Sequence, residues 1–528
     1  MKHLKNRLFL ALPVVAILAL ALVTPASARG TGPTVDTVNQ AVTDLSLDLN
    51  TMWTLIAGFL VFFMQAGFAL VETGFTRNKN VAHTMLMNMM VFCLGAVGYW
   101  LTGFALQFGG VNYTYPAVGN LSAWSFSPTT LSAWAGDKLA SPLLIGGQSF
   151  AGLSGWMLGG LGASSGILVF FLFQMVFMDT AATIPTGSMA ERLKFVGFCL
   201  MGLWVSMFVY PIAGGWVWGG GWLANLGRSI GWGNGAVDFA GSGVVHTIGG
   251  LVGLAGAIVI GPRLGRFNRD GSANTIPGHS ISLGVLGTII LFFGWFGFNP
   301  GSSLSFSGAG RSLATLAAVN TLLAGAAGGC AAMLYMWLVS KAKKPDPGYS
   351  VNGILAGLVA ITAPCAFVET WAAVVIGLIA GVWVCVAGAL LEKLHIDDPV
   401  GAVPVHLCNG LWGVLAVGLF AYGNPDTAGW NGVATPVTGL FYGGGFSQLL
   451  AQLAEALALI IFVGGTTYVF FRVLAALKLL RVSRETEIKG LDLPEMGSPG
   501  YPADWEAAPD AIIYGQEKKS ARKAVIAG

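Results

Sequence analysis

Charged residues are scarce in this chain. Aspartate, glutamate, lysine and arginine together make up 10% of its 528 residues, whereas hydrophobic residues make up 55%. This balance excludes an ordinary soluble protein and is typical of a protein that crosses a membrane many times. The formal net charge of +3 follows from membrane topology, as shown below, and we expect no nucleic-acid partner.

Cysteine is also rare, and its spacing excludes two kinds of site. The six cysteines lie in apolar runs without a CxxC pair, which predicts packing residues rather than a disulfide framework or a metal centre. We expect no metal and no cofactor. Glycine, in contrast, is abundant at 76 residues. Because small residues let membrane helices approach closely, we expect a compact bundle with narrow pores.

The first 28 residues have the features of a secretory signal peptide. Lys2, Lys5 and Arg7 precede a short apolar stretch, and Ala26-Ser27-Ala28 supplies a cleavage site. The alternative is an uncleaved first helix. With cleavage, residues 29–49 are an extracytoplasmic segment, and the mature chain is a multi-pass protein of a bacterial inner (plasma) membrane.

Eleven apolar runs follow, and a membrane helix needs about 20 such residues. They lie at 50–71, 84–108, 163–184, 195–218, 241–261, 280–299, 313–340, 351–368, 371–391, 402–422 and 447–474. The sequence therefore predicts an all-α polytopic membrane domain over residues 50–474, with eleven transmembrane helices.

Positive charge predicts the orientation, because lysine and arginine concentrate in cytoplasmic loops. With the N-terminus outside, the loops predicted inside contain Arg77, Lys79, Arg192, Lys194, Arg263, Arg266, Arg269, Lys341, Lys343, Lys344 and Lys393. The loops predicted outside contain Lys138, Arg228 and Arg311. The C-terminus is then inside, and residues 475–528 are predicted to form a cytoplasmic tail.

One local pattern occurs twice, 160 residues apart. DFAGSGVVH (238–246) and DPVGAVPVH (398–406), with the residues that follow them, share D-x7-H-x3-G-L-x-G. Each copy begins the last helix of a five-helix half. An odd number of helices per half reverses the second half in the membrane, so we expect an inverted repeat of spans 1–5 and 6–10, with functional groups where the halves meet. The eleventh helix is an additional brace.

Two of the six histidines lie inside predicted spans. His246 and His406 each follow an aspartate by eight residues, which places them about 12 Å along their helices. Ionisable groups at such depth usually face a cavity or a partner. The alternative is two separate histidines that are hydrogen-bonded within the bundle. A pair of neutral imidazoles can hold a small hydrogen-bonding molecule or relay protons, whereas it is a poor path for a bare cation.

The two aspartates of the pattern precede helices, where aspartate is a preferred N-cap. Pro399 follows Asp398 at the first helical position, so we interpret Asp398 as a structural cap. Asp238 is open to two interpretations: a cap, or a vestibule carboxylate at the outer face that attracts cations.

The chain also resembles the ammonium transporters (the Amt/Mep/Rh family), and is most similar to their bacterial and plant Amt branch. The resemblance covers about residues 50–500. It is carried by MQAGFALVETGFTRNKN (64–80), FQMVF…GSMAER (173–192), YPIAGGWVWGGGW (210–222), DFAGSGVVH, GPRLGRF (261–267), GWFGFNPGS (294–302), DDP…VH (397–406) and LLRVSRETEIKGLDL (479–493). It implies eleven helices around a pseudo-twofold axis, one pore per subunit and a homotrimer.

The resemblance also implies roles for individual residues. An outer substrate site is formed by Trp218 and Ser302, with Phe177 beside them and Phe173 nearby. Without the resemblance, each of these aromatic residues would be interpreted as core packing. The remaining pore residues follow in order along the path: the stacked gate of Phe177 and Phe298, then Trp295, then His246 and His406.

The implied activity is transport and not an enzymatic reaction. Ammonium is recruited outside, loses its proton near the gate and passes as ammonia along the histidines; whether the proton also crosses, making transport electrogenic, is left open. Potassium has no proton to lose, so it must bear the full cost of a buried ion. The tail 479–493 implies coupling to a PII-type (GlnK-like) regulatory protein, with a solvated amphipathic tail as the alternative. Residues 500–528 fall outside the resemblance.

Asp179 departs from the familiar pattern, because several relatives have a small or apolar residue there. A carboxylate inside a span is costly. It is interpreted either as a partner of a neighbouring helix, which we favour, or as a proton acceptor or cation site.

Three other functions fit parts of the sequence. A neutral small-solute or ammonia channel would not need the cation-recruiting residues Trp218 and Ser302. An ammonium sensor of the same fold would bind without conducting, although such proteins usually carry a fused signalling domain. A membrane metalloenzyme would normally need three protein ligands for zinc, and the repeat supplies two histidines.

Overall fold

The computed structural model describes residues 34–109, 114–115, 119–120, 143–145, 148–153, 155–159 and 165–501. The predicted signal peptide (1–28) and residues 502–528 of the predicted tail lie outside these ranges, so both stay predictions. By its contacts the chain divides after Asp48. Residues 34–48 are helical from Val35, and the unit from Leu49 onward contains the helical bundle described below.

Helices make up nearly all of the described structure. They are α1 Val35–Phe75, α2 Val81–Gly98, α3 Phe104–Phe108, α4 Ser165–Ser188, α5 Phe195–Trp204, α6 Tyr210–Val217, α7 Leu226–Ile230, α8 Ile248–Ile260, α9 Ile281–Phe298, α10 Ala309–Leu334, α11 Pro347–Thr362, α12 Thr370–Lys393, α13 Asn409–Phe420, α14 Ser447–Leu459, α15 Gly465–Ala476 and α16 Arg484–Lys489. Two small antiparallel hairpins pair β1 Thr114–Tyr115 with β2 Gly119–Asn120, and β3 Leu143–Ile145 with β4 Gln148–Ala151.

Several of these helices continue into one another through wider, π-helical turns. Such turns join α2 to α3 at Tyr99–Gly103, α5 to α6 at Val205–Val209 and α14 to α15 at Ile460–Gly464. Each joined pair forms a single continuous helix. The first helix begins at Val35, well before the predicted start at residue 50.

The membrane character predicted from composition is confirmed. Within the described residues, ten helices are long and apolar enough to cross a membrane. The eighth predicted run, 351–368, coincides with α11, which has 16 residues and is shorter than those ten. Eleven spans and their orientation therefore stay predictions, whereas the nearly all-helical membrane fold is established.

Helix α11 shows how the sequence sets the boundaries of an element. Asp346 precedes it and accepts a hydrogen bond from the backbone N–H of Tyr349 at 2.9 Å, while Pro347 occupies the first turn. An aspartate cap followed by proline satisfies the exposed N–H groups of a helix start.

Glycines allow α10, α11 and α12 to pack against one another almost backbone to backbone. A Cβ atom added at Gly328 would lie 2.3 Å from the carbonyl oxygen of Gly353, and one added at Gly381 would lie 2.1 Å from the carbonyl oxygen of Gly328. This is the close approach that the high glycine content predicts.

Ion pairs join the loops at one end of the bundle, which we call the tail face because the C-terminal segment lies there. Glu191 pairs with Arg77 and, at 3.4 Å, with Arg263. Arg263 also pairs with Asp397 at 2.8 Å. Burial by itself would raise the pKa of Asp397, but the hydrogen bonds from Arg263 and the positive charge of Arg192 outweigh burial and lower the pKa to about 2.

The C-terminal segment is fixed to the tail face by hydrogen bonds. Asp492 accepts one from the backbone N–H of His83 at 2.9 Å, and Asn80 accepts one from the backbone N–H of Leu491 at 3.0 Å. Lys79 donates to the carbonyl oxygen of residue 487 at 2.8 Å. His83, the residue before the predicted span 84–108, lies in the first turn of α2 and is completely buried.

Replacing Gly328 by alanine tests the helix contact. The added methyl group would press on a backbone carbonyl that cannot rotate away, so we expect a loss of about 1–3 kcal/mol. Thermal unfolding in detergent should show a Tm several degrees lower. Gly465→Ala is the matched control, because a Cβ there meets no atom within 4 Å; equal Tm values for the two variants would contradict the close contact.

Asp397→Asn tests the ion pairs at the tail face. Since the folded-state pKa lies below that of an ordinary aspartate, the ionised carboxylate stabilises the fold above about pH 4, by about 2 kcal/mol, and this contribution is lost as the pH falls towards 2. We expect a lower Tm at pH 7 and a shrinking difference from the wild type below pH 4. Glu392→Gln removes a half-exposed partner of Arg266 and should have a smaller effect.

Candidate functional site

The two copies of the sequence repeat adopt matching local structures. The carboxylate of Asp238 accepts hydrogen bonds from the backbone N–H groups of residues 241–244 at 2.8–3.0 Å. The carboxylate of Asp398 accepts them from Gly401 at 3.0 Å and Val403 at 2.7 Å. Both sets of contacts are those of a helix cap. Asp238 is 1% exposed, so its carboxylate lies beneath the surface.

A glycine and a wide helical turn follow each aspartate. Gly241 and Gly401 have φ values of +107° and +78°, a left-handed conformation that favours glycine. The chain then forms π-helical turns at Ser242–Thr247 and Val403–Cys408, which contain His246 and His406. Such turns are frequent at functional sites. Their effect here is to direct one histidine from each copy towards the other.

The glycines in the repeat's H-x3-G element explain how closely the two copies meet. A Cβ atom at Gly250 would lie 2.5 Å from the backbone nitrogen of Leu407, and one at Gly410 would lie 2.5 Å from the carbonyl oxygen of Ser242. Each copy therefore uses its glycine to contact the wide turn of the other copy. The contact is reciprocal, as expected where two related halves meet.

His246 and His406 face each other directly. Their Nδ1 atoms are 3.2 Å apart, and the ring centroids are 5.2 Å apart. Both side chains are buried, at 0% and 5% exposure. One proton can lie between the two Nδ1 atoms, so one ring donates and the other accepts. The two Nε2 atoms at the ends of the pair then differ: one is a donor and the other an acceptor.

Aromatic rings continue the row on one side of the histidines. The ring of His246 is stacked on Trp295 at 5.3 Å and on Phe298 at 5.5 Å. Trp295 donates its indole N–H to the hydroxyl of Thr362 at 3.0 Å, which fixes its orientation. Phe298 is in turn stacked on Phe177, with centroids 4.0 Å apart and an interplanar angle of 24°.

Beyond this stack lies a cavity that contains the predicted outer site. The ring of Phe177 meets Trp218 at 5.9 Å and Phe173 at 4.6 Å. Trp218 donates to the carbonyl oxygen of Asp238 at 2.7 Å. Ser302 donates to the carbonyl oxygen of Phe298 at 2.8 Å, so its hydroxyl oxygen keeps lone pairs for a ligand.

The centre of a water-sized molecule can move through about 20 Å³ of this outer cavity, which is room for one such molecule. The structure adds lining residues that the sequence did not indicate: Gln174, Phe239, Leu304, Trp430 and Asn431. Trp430 donates its indole N–H to the carbonyl oxygen of Ser302 at 3.0 Å. The sequence feature that could have indicated Trp430 is the presence of a tryptophan within a polar loop.

A second small cavity lies on the other side of the histidine pair. It also offers about 20 Å³ to the centre of a water-sized molecule. Its lining is apolar except for His406, Asn352 and Glu72. The sequence did not indicate Glu72, although it lies in the quoted motif MQAGFALVETGF; the signal was a carboxylate one residue beyond the predicted span 50–71.

Asp179 is buried, with 2% exposure, and its Oδ1 atom has no hydrogen-bond partner among the described residues. Its carbonyl oxygen accepts from Thr183, whose hydroxyl group also lies 3.1 Å from Gln65. Asp179 does not line either small cavity. Within the described ranges, no group of three histidine, cysteine, aspartate or glutamate residues could hold a metal ion.

These contacts form a continuous path from Trp218 through Phe177, Phe298 and His246 to His406, with a small cavity at each end. Neither cavity is lined by lysine or arginine in the described structure. The path is therefore suited to a small molecule that can be held over aromatic faces at one end and hydrogen-bonded by imidazoles further in.

Comparisons with known proteins agree over most of the chain. A sequence profile of the Ammonium Transporter Family matches residues 52–501. The chain is 42% identical over 492 residues to ammonium transporter Amt2 of Archaeoglobus fulgidus, covering 93% of this chain and 95% of the relative. It is 35% identical over 494 residues to ammonium transporter 1 member 3 of Solanum lycopersicum, covering 90% and 97%.

Solved structures give the same result. A structure described as a Sensor Amt Protein superposes with a TM-score of 0.71 at 33% identity, covering 86% of this chain and 100% of that one. Saccharomyces cerevisiae Mep2 superposes with a TM-score of 0.67 at 25% identity, covering 83% and 88%. With a family profile over most of its length and relatives well above 30% identity, this chain belongs to the ammonium transporter family.

Proposed function

We propose that this protein takes up ammonium through the path between the two cavities and conducts it as ammonia past a twin-histidine pore. The observation that carries the proposal is the direct contact between His246 and His406 at the end of a row of aromatic rings. Ammonium transport as such follows from family membership.

The outer cavity recruits the cation. A compact ammonium ion over the faces of Trp218 and Phe177 gains about 0.5–2 kcal/mol, and the Ser302 hydroxyl oxygen can accept one of its N–H groups. Phe173 contacts Phe177 and adds a third aromatic ring to the wall of the cavity. Asp238 supports this site indirectly. Its carboxylate caps the helix start, and its backbone carbonyl oxygen orients the Trp218 ring.

The gate separates the cation from the histidines. Phe177 and Phe298 are in van der Waals contact, so a hydrated ion cannot pass between them. Ammonium can release a proton and continue as a neutral molecule, whereas potassium cannot, which explains selectivity for ammonium. The histidine pair then offers one donor and one acceptor to ammonia, while Trp295 packs against His246.

The remaining proposals concern topology and assembly. We propose that the protein lies in the cell inner (plasma) membrane, with its N-terminus outside and its tail face on the cytoplasmic side. Its eleven spans form an inverted five-helix repeat followed by a bracing last helix. The reciprocal glycine contacts support the repeat. The domain boundaries stay as the sequence predicts, with a signal peptide at 1–28 and a tail from 475.

A homotrimer and a PII-type regulatory protein are the proposed assembly partners. Support for a regulatory tail comes from its fixed position: Leu491 and Asp492 are buried against the loop that begins α2. A partner that displaced this segment would remove these contacts and alter the loop between α1 and α2. Ammonium sensing is the second candidate function, favoured by the similarity to the Sensor Amt Protein.

Currents across proteoliposomes after an ammonium pulse test the proposal, with a potassium pulse as control. A current for ammonium alone indicates electrogenic transport. If no current flows, an internal pH dye distinguishes the alternatives, because ammonia entry raises the internal pH whereas a sensor leaves it unchanged. A current of equal size for potassium would overturn the selective mechanism.

Replacing His246 and His406 together by leucine tests the twin-histidine pore. Without the imidazoles, the path has no donor or acceptor matched to ammonia, so we expect the preference for ammonium over potassium to be lost. Uptake and current measured for both ions give the ratio. His395→Leu, a change at an exposed histidine, should keep it; unchanged selectivity in the double variant would rule out this role.

Trp218→Leu tests the outer site. The variant loses the cation–π contact, so the ammonium concentration that gives half-maximal uptake should rise by about three- to thirtyfold. Initial uptake rates at varied external ammonium measure this value. A variant with wild-type half-saturation would show that recruitment occurs elsewhere.

A further inference from the structure

Glu72 is a buried carboxylic acid at the pore with no basic partner. It lies near the end of α1, is 3% exposed and lines the small cavity that His406 also lines. No lysine or arginine in the described structure forms an ion pair with Glu72. Arg77, the nearest basic residue in the sequence, pairs with Glu191 instead. A buried carboxyl group without a basic partner favours a cation at this end of the pore.

The hydrogen bonds around Glu72 suit both of its protonation states. When the carboxylate is ionised, Asn88 donates to it at 2.9 Å, and the Thr186 hydroxyl donates at 2.7 Å. When it is protonated, the Thr186 hydroxyl can instead donate to the carbonyl oxygen of Thr183, 2.6 Å away, and accept the proton of Glu72. Neither state leaves the carboxyl group unpaired, so Glu72 can give up a proton and regain it.

The cavity has room for the substrate and an exit. About 20 Å³ is open to the centre of a water-sized molecule, which is sufficient for one ammonia or ammonium. Three of its lining residues, Asn352, Val400 and Gly401, also line a much larger cavity with about 380 Å³ open to such a molecule. The arginines Arg263 and Arg266 that line the larger cavity are neutralised by ion pairs, so they do not repel a cation.

We propose that Glu72 is the acid of an inner ammonium site, on the assumption that the proposed ammonia pore is correct. Ammonia that has passed His406 takes the proton of the neutral carboxyl group: an N–H bond forms, the carboxyl O–H bond breaks, and ammonium and a carboxylate result. Ammonium then leaves through the larger cavity, and the carboxylate takes a proton from a hydronium ion of the water there. In the reverse direction the ionised carboxylate binds ammonium from the inner face and accepts its proton.

Glu72→Gln tests the inner site, because the amide keeps the shape and can make the hydrogen bonds of the protonated state, with its N–H donating to Thr186, but neither carries charge nor donates an acidic proton. Uptake of labelled methylammonium into whole cells measures entry from the outer face. Uptake into inverted membrane vesicles from the same cells measures entry from the inner face. Loss of a charge-assisted hydrogen bond should raise the half-saturating concentration from the inner face at least about tenfold. Half-saturation from the outer face should change less than about twofold.

Glu485→Gln is the control, since this carboxylate is exposed, pairs with Lys489 and lines none of the three cavities. It should show the wild-type values from both faces. If Glu72→Gln fails to reach the membrane, Glu72→Asp, which keeps the charge but shortens the reach, is expected to give a smaller shift from the inner face.

The outcomes separate the two proposals. No methylammonium entry from either face in the wild type would overturn the proposed transport function itself. Transport in the wild type with unchanged inner-face half-saturation in the Glu72 variants would overturn the inner site alone. A purely structural role would lower the amount of protein in the membrane and affect both faces equally, which would also overturn it.

Discussion

The site depends on a hydrogen bond between two buried imidazoles. The Nδ1 atoms of His246 and His406 are 3.2 Å apart, and both side chains are buried. If both rings were cationic, two N–H donors would point at each other across this short distance. The pair therefore favours a neutral species at this point, which is why we propose that ammonium leaves its proton before it reaches the histidines.

Holding two histidines at hydrogen-bond distance requires both copies of the repeat to be positioned accurately. Each aspartate fixes the start of its helix by accepting backbone N–H groups, and each wide turn directs its histidine inwards. The glycines Gly250 and Gly410 allow each copy to lie against the wide turn of the other. A larger side chain at either glycine would separate the turns and lengthen the contact between the imidazoles.

The tail-face ion pairs give a physical reason for motifs that carry no pore residue. Arg77, Glu191, Arg263 and Asp397 come from four separate stretches of the sequence, and in the fold they form one chain of ion pairs. This chain links the loops that follow α1 and α4 with those beside α8 and α12. It lies next to the large cavity that we propose as the exit, so the same contacts that join the halves also shape the route from the pore.

The sequence by itself determined the membrane class, the helical fold, the duplicated pattern and the placement of one histidine in each half, because composition and spacing report what lies along a helix. The aromatic residues could be selected only through the resemblance, since a phenylalanine in a gate and one in a core have the same local pattern. The tertiary structure alone decided which residues meet. It brought Trp430 from a distant loop to Ser302, buried Asp238 beneath the surface and placed Glu72 beyond His406. These contacts join residues far apart in the chain, and such contacts depend on how helices pack rather than on the order of residues within each helix.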